Sequence, residues 1–451
     1  MNKKEIIKLL FKRGKESGIK DMEVYIQGNK TIDLAVFEGE IDKYSIAKEQ
    51  GLSFRGIYND KMGYSYTEKI DETSVDMLIH EAIDNAKVID SDDEEHIFEG
   101  SKDYKKIDSY NEKLEKTSME KKIEFTKVLE KEALRLDERV EKVDHCIYGE
   151  ESFESVLINS KGLDLKNKSN IAYAYISVMV KDKDDIKTAS SYNITKDFTD
   201  FNAKKLAKEA VDEALNMLGA KSILSDDYPI ILKNNVAASI LEAFMPIFSA
   251  ENVQKGLSLL KGKINDKVAN DLITLVDDPF MKEGVASKSF DGEGVATKYK
   301  KVIDKGRLKT FLHNLKTAKK AGVETTGNAN KSSYKSPITI AATNMYIKNG
   351  DLSFKDMIKT IDKGLLITNV EGLHAGLNPV SGDFSLSSKG FEIDSGQIKG
   401  PVNQVTIAGN FFEMLMDIIE VSDDLKFTLP SSGGYIGSPS LKIKSLSVSG
   451  N

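Results

Sequence analysis

The five histidines are the residues of this chain best suited to metal binding or acid–base chemistry, and they lie at His80, His96, His145, His313 and His374. No two of them have the short spacing with which one helix or turn holds a metal ion. His80 is followed by a glutamate, as in the His-Glu-x-x-His zinc motif, but no second histidine follows at that spacing. We therefore expect His80 and the glutamate after it to lie on the outer face of a helix.

The single cysteine, Cys146, limits sulfur chemistry. It excludes a disulfide within the chain and a cluster of thiolate metal ligands. Its neighbour His145 lies in the same strand-like run, and adjacent residues of a strand face opposite sides. The pair therefore cannot easily chelate one ion, and a Cys–His dyad would need a further residue placed by the fold.

A second group of polar residues follows Glu371, in a loop rich in glycine. His374, Gly376 and Asp383 are predicted to line a cleft, because glycine allows the backbone of an extended peptide to approach closely. With Ser381 this loop also contains the residue types of a Ser-His-Asp triad, although it lacks the G-x-S-x-G elbow. A metal-independent hydrolase that uses Ser381 or Cys146 is therefore one interpretation to be tested.

The apolar segment from Asn235 to about Met245 predicts a buried helix that carries one carboxylate, Glu242. A lone glutamate is a weak base when no metal lowers the pKa of water. We therefore interpret Glu242 as a carboxylate on the surface or at the cap of this helix, with a role in a peptide cleft as the alternative.

These residues must be positioned by an α+β fold. Two segments of similar order, each a helix, several strands and a helix, precede a Gly-rich, strand-rich C-terminal domain with a few helices. We place the domains at 1–115, 116–224 and 225–451, with a polar linker that begins at Ser91. Helices are predicted at 2–17, 72–88, 118–137 and 202–218, and strands at 140–148, 155–159, 171–180 and 186–192, with a hairpin turn at 59–60.

Composition narrows the class of protein. A net charge of -7 argues against nucleic acid as the main partner, because phosphate neutralisation needs a basic face. No uninterrupted apolar run reaches the ~18 residues that span a bilayer, and we expect the first residues to form an amphipathic helix and not a signal peptide. We expect a cytoplasmic protein without a membrane partner.

Three segments, at residues 289–297, 302–315 and 371–414, resemble the TldD/PmbA family, and within it the PmbA (TldE) branch. The resemblance implies an α+β protein that pairs with a TldD-type subunit to form a zinc metallopeptidase. Such complexes degrade or trim unfolded or modified peptides. Members of the family are also linked to peptide-antibiotic maturation, antitoxin turnover and modulation of DNA gyrase.

The chain departs from the zinc-bearing pattern of that family at every ligand. The motif His-Glu-x-x-x-His falls on Leu241, Glu242 and Pro246, and the third ligand, a cysteine near the C-terminus, has no counterpart at 428–434. We therefore predict no catalytic residue and no cofactor on this chain, with zinc on a TldD-type partner. The alternative is a homodimeric peptide-binding or scaffold protein without hydrolytic activity.

Overall fold

The computed structural model describes residues 2–90, 95–431 and 433–450, and its architecture is α+β, as predicted. The first part of the predicted linker, from Ser91 to residue 94, lies outside the described residues. No helix in the described part of the chain has the length and apolar character needed to cross a membrane.

The described residues of the first half of the chain form five α-helices and six strands. The helices are α1 (Lys3–Glu16), α2 (Val75–Val88), α3 (Glu112–Lys116), α4 (Met119–Leu136) and α5 (Ala203–Asn216), with short 3-10 helices at Glu72–Ser74 and Phe198–Asp200. The strands are β1 (Met22–Phe37), β2 (Glu40–Tyr58), β3 (Lys61–Thr67), β4 (Val140–Asn159), β5 (Asp164–Asp182) and β6 (Asp185–Thr195). The long helices follow the predicted ranges within two or three residues.

All six strands form one antiparallel sheet in the order β3-β2-β1-β4-β5-β6. The two similar segments of the sequence are therefore halves of one sheet, joined where β1 pairs with β4. Helices α1 and α2 cover the same face of the first three strands, and α4 and α5 cover the last three. The other face of the sheet is turned toward the C-terminal domain through Tyr25 and Leu157, which pack with Tyr334.

Strand β4 corrects a sequence expectation. The segments 140–148 and 155–159, predicted as two strands, form one strand of 20 residues. The polar residues between them pair with both β1 and β5, so backbone hydrogen bonds continue where the apolar alternation stops. By contrast, the turn at Asn59 and Asp60 is confirmed, and their φ angles of 48° and 61° match the turn that suits a two-residue hairpin.

The second half begins at strand β7 and contains short elements and many turns. Its helices are α6 (Asn234–Phe244), α7 (Ala250–Gln254), α8 (Leu315–Ala321), α9 (Phe354–Lys359) and α10 (Phe411–Met416), with a 3-10 helix at Met245–Phe248. Its longer strands are β7 (Asp226–Leu232), β9 (Lys300–Asp304), β13 (Asn344–Ile347), β14 (Lys363–Glu371), β15 (Asp383–Asp394), β16 (Gln397–Asn410), β17 (Ile418–Val421), β19 (Tyr435–Ser438) and β20 (Leu441–Ser449). The shortest strands are β8 (Leu275–Asp277), β10 (Arg307–Leu308), β11 (Ala329–Asn330), β12 (Thr339–Ile340) and β18 (Lys426–Phe427).

Two six-stranded sheets enclose the core of this domain, in the orders β16-β15-β14-β7-β20-β17 and β10-β9-β8-β13-β19-β18. Helix α6 lies in that core, where Phe244 stacks on Phe411 with ring centroids 4.3 Å apart. Burial of such aromatic side chains contributes much of the free energy that holds the elements together. The core therefore fixes the orientation of α6, which carries Glu242.

Candidate functional site

The candidate site is a cleft of about 860 Å³ in the C-terminal domain. One wall is α6 with the 3-10 helix that follows it, and a second wall is the loop between β14 and β15. The segment 339–342, which includes β12, also lines the cleft. Of the residues proposed from the sequence, Glu242, Pro246 and His374 line this cleft together.

The start of α6 is held by polar contacts with the C-terminal strands. The Asn234 side-chain amide donates to the backbone carbonyl of Asp424 at 2.7 Å, and its backbone N–H donates to the Ser440 hydroxyl at 3.0 Å. Ser440 in turn donates to the Asp424 carboxylate at 2.7 Å. Of these acceptors, the Ser440 hydroxyl satisfies a backbone donor that a helix N-terminus leaves unpaired, and the three bonds together hold the start of α6 against the C-terminal strands.

The two faces of α6 have different roles. Val236, Ile240 and Leu241 are buried in the core, whereas the cleft face is formed by residues that recur at helical spacing. These cleft-facing residues are Ser239, Glu242, Ala243 and Pro246. Leu241, one of the two predicted vacant ligand positions, thus points into the core, whereas Pro246 lines the cleft.

The residues present do not fit a zinc ion. Leu241 and Ala243 of α6 and Pro246 of the 3-10 helix after it have no lone pair to donate, and a hydrolytic zinc site uses about three protein ligands. Among the described residues, no group of three or more His, Cys, Asp or Glu side chains is arranged to hold a metal ion. The residues at the motif position therefore do not form a zinc site.

Pro246 also decides where the helix ends. Its ring cannot donate the backbone hydrogen bond of an α-helix, and α6 stops at Phe244 before a 3-10 turn over Met245–Phe248. The turn directs Pro246 to the surface, where it is exposed in the cleft wall. This position is therefore a rigid, apolar part of the cleft.

His374 lies in the loop between β14 and β15 and is exposed at the cleft. The loop is held on either side by Leu373 and Leu377, which pack against the core. Leu377 is also bridged to Phe384 at the start of β15. The imidazole of His374 is thus presented to the cleft by a loop that is anchored on both sides.

Gly376 and Asp383 do not line the cleft and instead shape this loop. A Cβ on Gly376 would lie 2.4 Å from the Ser385 carbonyl oxygen, so the close contact requires glycine. Asp383 accepts a hydrogen bond from the Asn410 side-chain amide at 2.9 Å. That bond, with a second from Ser381, holds the pKa of the Asp383 carboxyl below its ordinary value.

Glu242 is half-buried in the cleft and makes no hydrogen bond or ion pair with the residues that the structure describes. Its negative charge is felt by Tyr192 of β6. Burial and then the Glu242 charge raise the pKa of the Tyr192 hydroxyl to about 12. The same hydroxyl donates to the Phe427 carbonyl at 2.9 Å, which brings the N-terminal sheet next to the cleft.

Several cleft residues carry no sequence signal that could have identified them. Glu251 lies in the short helix α7, and Ile340 belongs to β12, a strand of two residues. Leu312 lies outside the named elements and forms an isolated β-bridge with Ser249. None of these three residues belongs to a recognisable motif in the sequence. They are brought to the cleft by contacts between segments that are far apart in the chain.

The metal-independent interpretation fits the structure poorly. Cys146 is buried, its thiol donates to the Thr126 carbonyl at 3.3 Å, and burial together with Glu130 raises its pKa to about 12. Such a thiol is almost entirely protonated near neutral pH and is a poor nucleophile. Ser381 Oγ accepts the Asp383 backbone N–H at 3.3 Å, as in a turn.

Comparison with known proteins gives the family. Residues 225–450 match the model of the PmbA/TldA metallopeptidase C-terminal domain, residues 112–218 the central domain, and residues 22–86 domain 1. The chain belongs to the PmbA/TldD metallopeptidase family. The matched segments cover most of the chain, and the C-terminal match contains the whole cleft.

Relatives within the PmbA/TldD family cover nearly the full chain. A metalloprotease PmbA homolog of Buchnera aphidicola is 26% identical over 437 residues, which is 95% of this chain and 93% of the relative. A metalloprotease TldD homolog of the same species is 28% identical over 455 residues, 92% of this chain and 91% of the relative. Sequence similarity therefore extends to both the PmbA and the TldD branches.

Solved structures share the fold along the whole chain. A candidate modulator of a DNA gyrase from Thermotoga maritima superposes with a TM-score of 0.91 at 33% identity, covering 99% of this chain and 100% of that one. TldE from Thermococcus kodakarensis superposes with a TM-score of 0.90 at 25% identity, with the same coverage. The chain is thus of the PmbA/TldE type.

Proposed function

We propose that this chain is a non-catalytic subunit of a PmbA/TldD-type metallopeptidase and that a TldD-type partner subunit carries the zinc. The observation that carries the proposal is the chemistry of the two histidine positions of the motif. Leu241 faces the core, Pro246 lines the cleft, and neither side chain has a lone pair to donate. Without a metal to polarise water, Glu242 lacks the means to act as an efficient general base. The match to the PmbA/TldD metallopeptidase family supports a role in a peptidase complex for a chain that lacks the metal ligands.

The cleft is suited to hold an extended peptide that is unfolded or modified. Leu373, Leu377 and Ile340 supply apolar surface, and the short strand β12 forms part of the lining. Extended peptides bind such sites by main-chain hydrogen bonds and by side chains in apolar pockets. The proposed role of this subunit is therefore to bind part of the substrate while the partner subunit cleaves it.

The first experiment is elemental analysis of the purified chain, alone and after co-expression with a TldD-type subunit. We expect no stoichiometric zinc on the isolated chain and about one zinc ion per heterodimer. Stoichiometric zinc on the isolated chain would overturn the proposal. A chain that never associates with a TldD-type subunit would favour the homodimeric scaffold instead.

A peptidase assay separates the two subunits' roles. An unfolded polypeptide incubated with the isolated chain should remain intact, and the heterodimer should cleave it in a chelator-sensitive manner. The Cys146→Ala and Ser381→Ala variants of this chain should leave the heterodimer's rate unchanged. Chelator-sensitive cleavage by the isolated chain would contradict the non-catalytic role.

A further inference from the structure

Part of strand β2 has an open edge. Residues 52–56 pair with β1 on one side and β3 on the other. Among the described residues, 40–50 have only β1 as a neighbouring strand, and Asp42 is the unpaired residue of a bulge in that ladder. Within 40–50 every residue is exposed except Ser45, which is half-buried. Unpaired N–H and C=O groups along such an edge readily pair with another strand.

The open edge carries apolar side chains on the face that the helices cover elsewhere. Ile41, Tyr44 and Ile46 are 43%, 49% and 46% exposed. They pair across the ladder with Val36, Leu34 and Ile32, which are buried. An exposed apolar stripe that continues a buried one indicates a surface that another protein covers.

The charges along the edge are incompletely neutralised within the chain. Lys43 lies 3.7 Å from Asp33. Lys48, however, stands directly opposite Lys30, and like charges at this position destabilise a strand pair. Among the described residues, neither Lys48 nor Asp42 has an ion-pair partner within 4.0 Å.

The pairing of β2 with β1 shows which residues of β2 point their backbone N–H and C=O groups toward the open edge. The Ile57 N–H donates to the Asp21 carbonyl, and the Ile57 carbonyl accepts from Lys20 N–H, so residue 57 bonds toward the β1 side. No register shift occurs between the pairs Met22–Gly56 and Ala35–Lys43. Since direction alternates along a strand, the even-numbered residues 44, 46 and 48 present their backbone groups to the open edge.

We propose that this edge pairs with the same edge of a second copy of the chain, antiparallel, about a two-fold axis at Ser45. The backbone N–H and C=O groups of Tyr44 in each copy then bond with those of Ile46 in the other copy. Lys48 of each copy comes next to Asp42 of the other and gains the carboxylate that it lacks within one chain. The two Ser45 residues face each other as a non-hydrogen-bonded pair.

Neighbouring registers match less well. A shift of one residue opposes outward backbone groups with inward ones, so the ladder cannot form. An axis at Tyr44 places Ile46 against Asp42 and Lys48 against Glu40, a carboxylate that already lies 3.4 Å from Lys127. An axis at Ile46 places Lys48 against Tyr44. The self-complementary sequence therefore favours a second copy over a peptide of arbitrary sequence.

This inference goes beyond the proposed function and does not depend on it. The edge residues 40–50 and the residues that line the cleft do not overlap. Self-pairing at β2 would therefore use none of the residues that line the cleft. Zinc content and peptide cleavage test the cleft, whereas the experiments below test the edge alone.

Cysteine crosslinking tests both the contact and its register. Ser45→Cys should form a disulfide-linked dimer under mild oxidation, because facing residues of the pair lie within the ~7 Å that a disulfide needs. Lys43→Cys alone should not crosslink, since its two copies would lie roughly 14 Å apart along the strands. A mixture of Lys43→Cys and Ala47→Cys chains should crosslink, because those positions face each other.

The native chain is the background control, because its single cysteine is buried. Equal crosslinking of Ser45→Cys and Lys43→Cys would overturn the register, and no crosslinking of Ser45→Cys would overturn the contact. Crosslinking of Ser45→Cys only to a co-expressed TldD-type subunit would also overturn self-pairing. Circular dichroism should show that each variant is folded.

Charge reversal gives a second, disulfide-free measurement. Asp42→Lys and Lys48→Asp should each weaken dimerisation at least about fivefold in light scattering or sedimentation, because each creates like-charge neighbours. The double variant should restore much of the native affinity, since it only exchanges the two charges. Failure of the double variant to recover, or a native chain that is monomeric at all concentrations, would overturn the proposal.

Discussion

Arg55 in the N-terminal sheet and Glu293 in the C-terminal domain lie 3.9 Å apart, Nη1 to Oε1, and both are buried. Arg55 also donates from Nε to Glu23 at 2.7 Å, and the Leu315 backbone N–H donates to Glu293 at 2.8 Å. The two halves of the molecule thus meet at a desolvated charge cluster. Their contact should depend on the protonation of Glu293.

The pH dependence of stability follows from this carboxyl. Burial raises the pKa of Glu293 to about 8, despite the opposing effect of Arg55. Between its ordinary pKa of about 4.5 and 8, the folded state holds a proton that the unfolded state releases, so this group lowers stability as pH rises. Glu293→Gln should flatten that part of a plot of unfolding free energy against pH, measured by urea denaturation.

The matched control is Glu324→Gln, at a carboxylate that is almost fully exposed beside Lys298. An exposed pair of this kind contributes at most about 1 kcal/mol, so its removal should leave the pH profile unchanged. A Glu293→Gln profile as steep as that of the native chain would show that Glu293 is ionised in the folded protein across this range.

Glu242→Gln tests whether the cleft carboxylate has a chemical role. We expect the heterodimer's rate of peptide cleavage to change less than about threefold, whereas loss of a true general base costs about 10²–10⁴-fold. Stability should change by no more than about 0.5 kcal/mol, because Glu242 is half-buried and the residues described around it form no bond with its carboxylate. A loss of activity above a hundredfold, with zinc content retained, would make Glu242 a catalytic residue.

Gly376→Ala should distort the loop that presents His374. The added Cβ would lie 2.4 Å from a backbone oxygen that cannot move independently, and we expect a loss of about 1–3 kcal/mol and weaker peptide binding. Gly400→Ala is the matched control, since nothing lies within 4 Å of its new Cβ. Thermal unfolding and fluorescence anisotropy with a labelled unfolded peptide measure the two effects. Equal behaviour of the two variants would contradict the packing argument.

Lys122→Met tests a buried ion pair beneath α4. Lys122 Nζ lies 2.6 Å from Glu150 Oε2, which also accepts a bond from the Tyr148 hydroxyl at 2.9 Å. Removing one partner leaves a buried charge, and we expect a loss of about 3–5 kcal/mol by chemical denaturation. The double variant Lys122→Met/Glu150→Gln should recover much of that loss. A single variant as stable as the native chain would mean that Glu150 becomes protonated at little cost.

Much of the fold could be predicted from local patterns. The helical period of apolar residues located α1, α4 and α5, and the Asn59–Asp60 turn located a hairpin, because these signals act over a few residues. The full length of β4 could not be predicted, since its middle is stabilised by hydrogen bonds to β1 and β5 rather than by its own side-chain pattern.

For the candidate site, too, some properties follow from the sequence alone and others only from the tertiary structure. The sequence alone determines that Leu241 and Pro246 offer no imidazole and that a single cysteine cannot form a disulfide within the chain. Both conclusions depend only on which atoms the side chains contain. Only the tertiary structure decides that Glu242 and His374 share a cleft, that Leu241 faces the core, and that Gly376 and Asp383 support a loop instead. The reason is that the direction of a side chain is set by the packing of its whole element, which involves residues far away in the sequence.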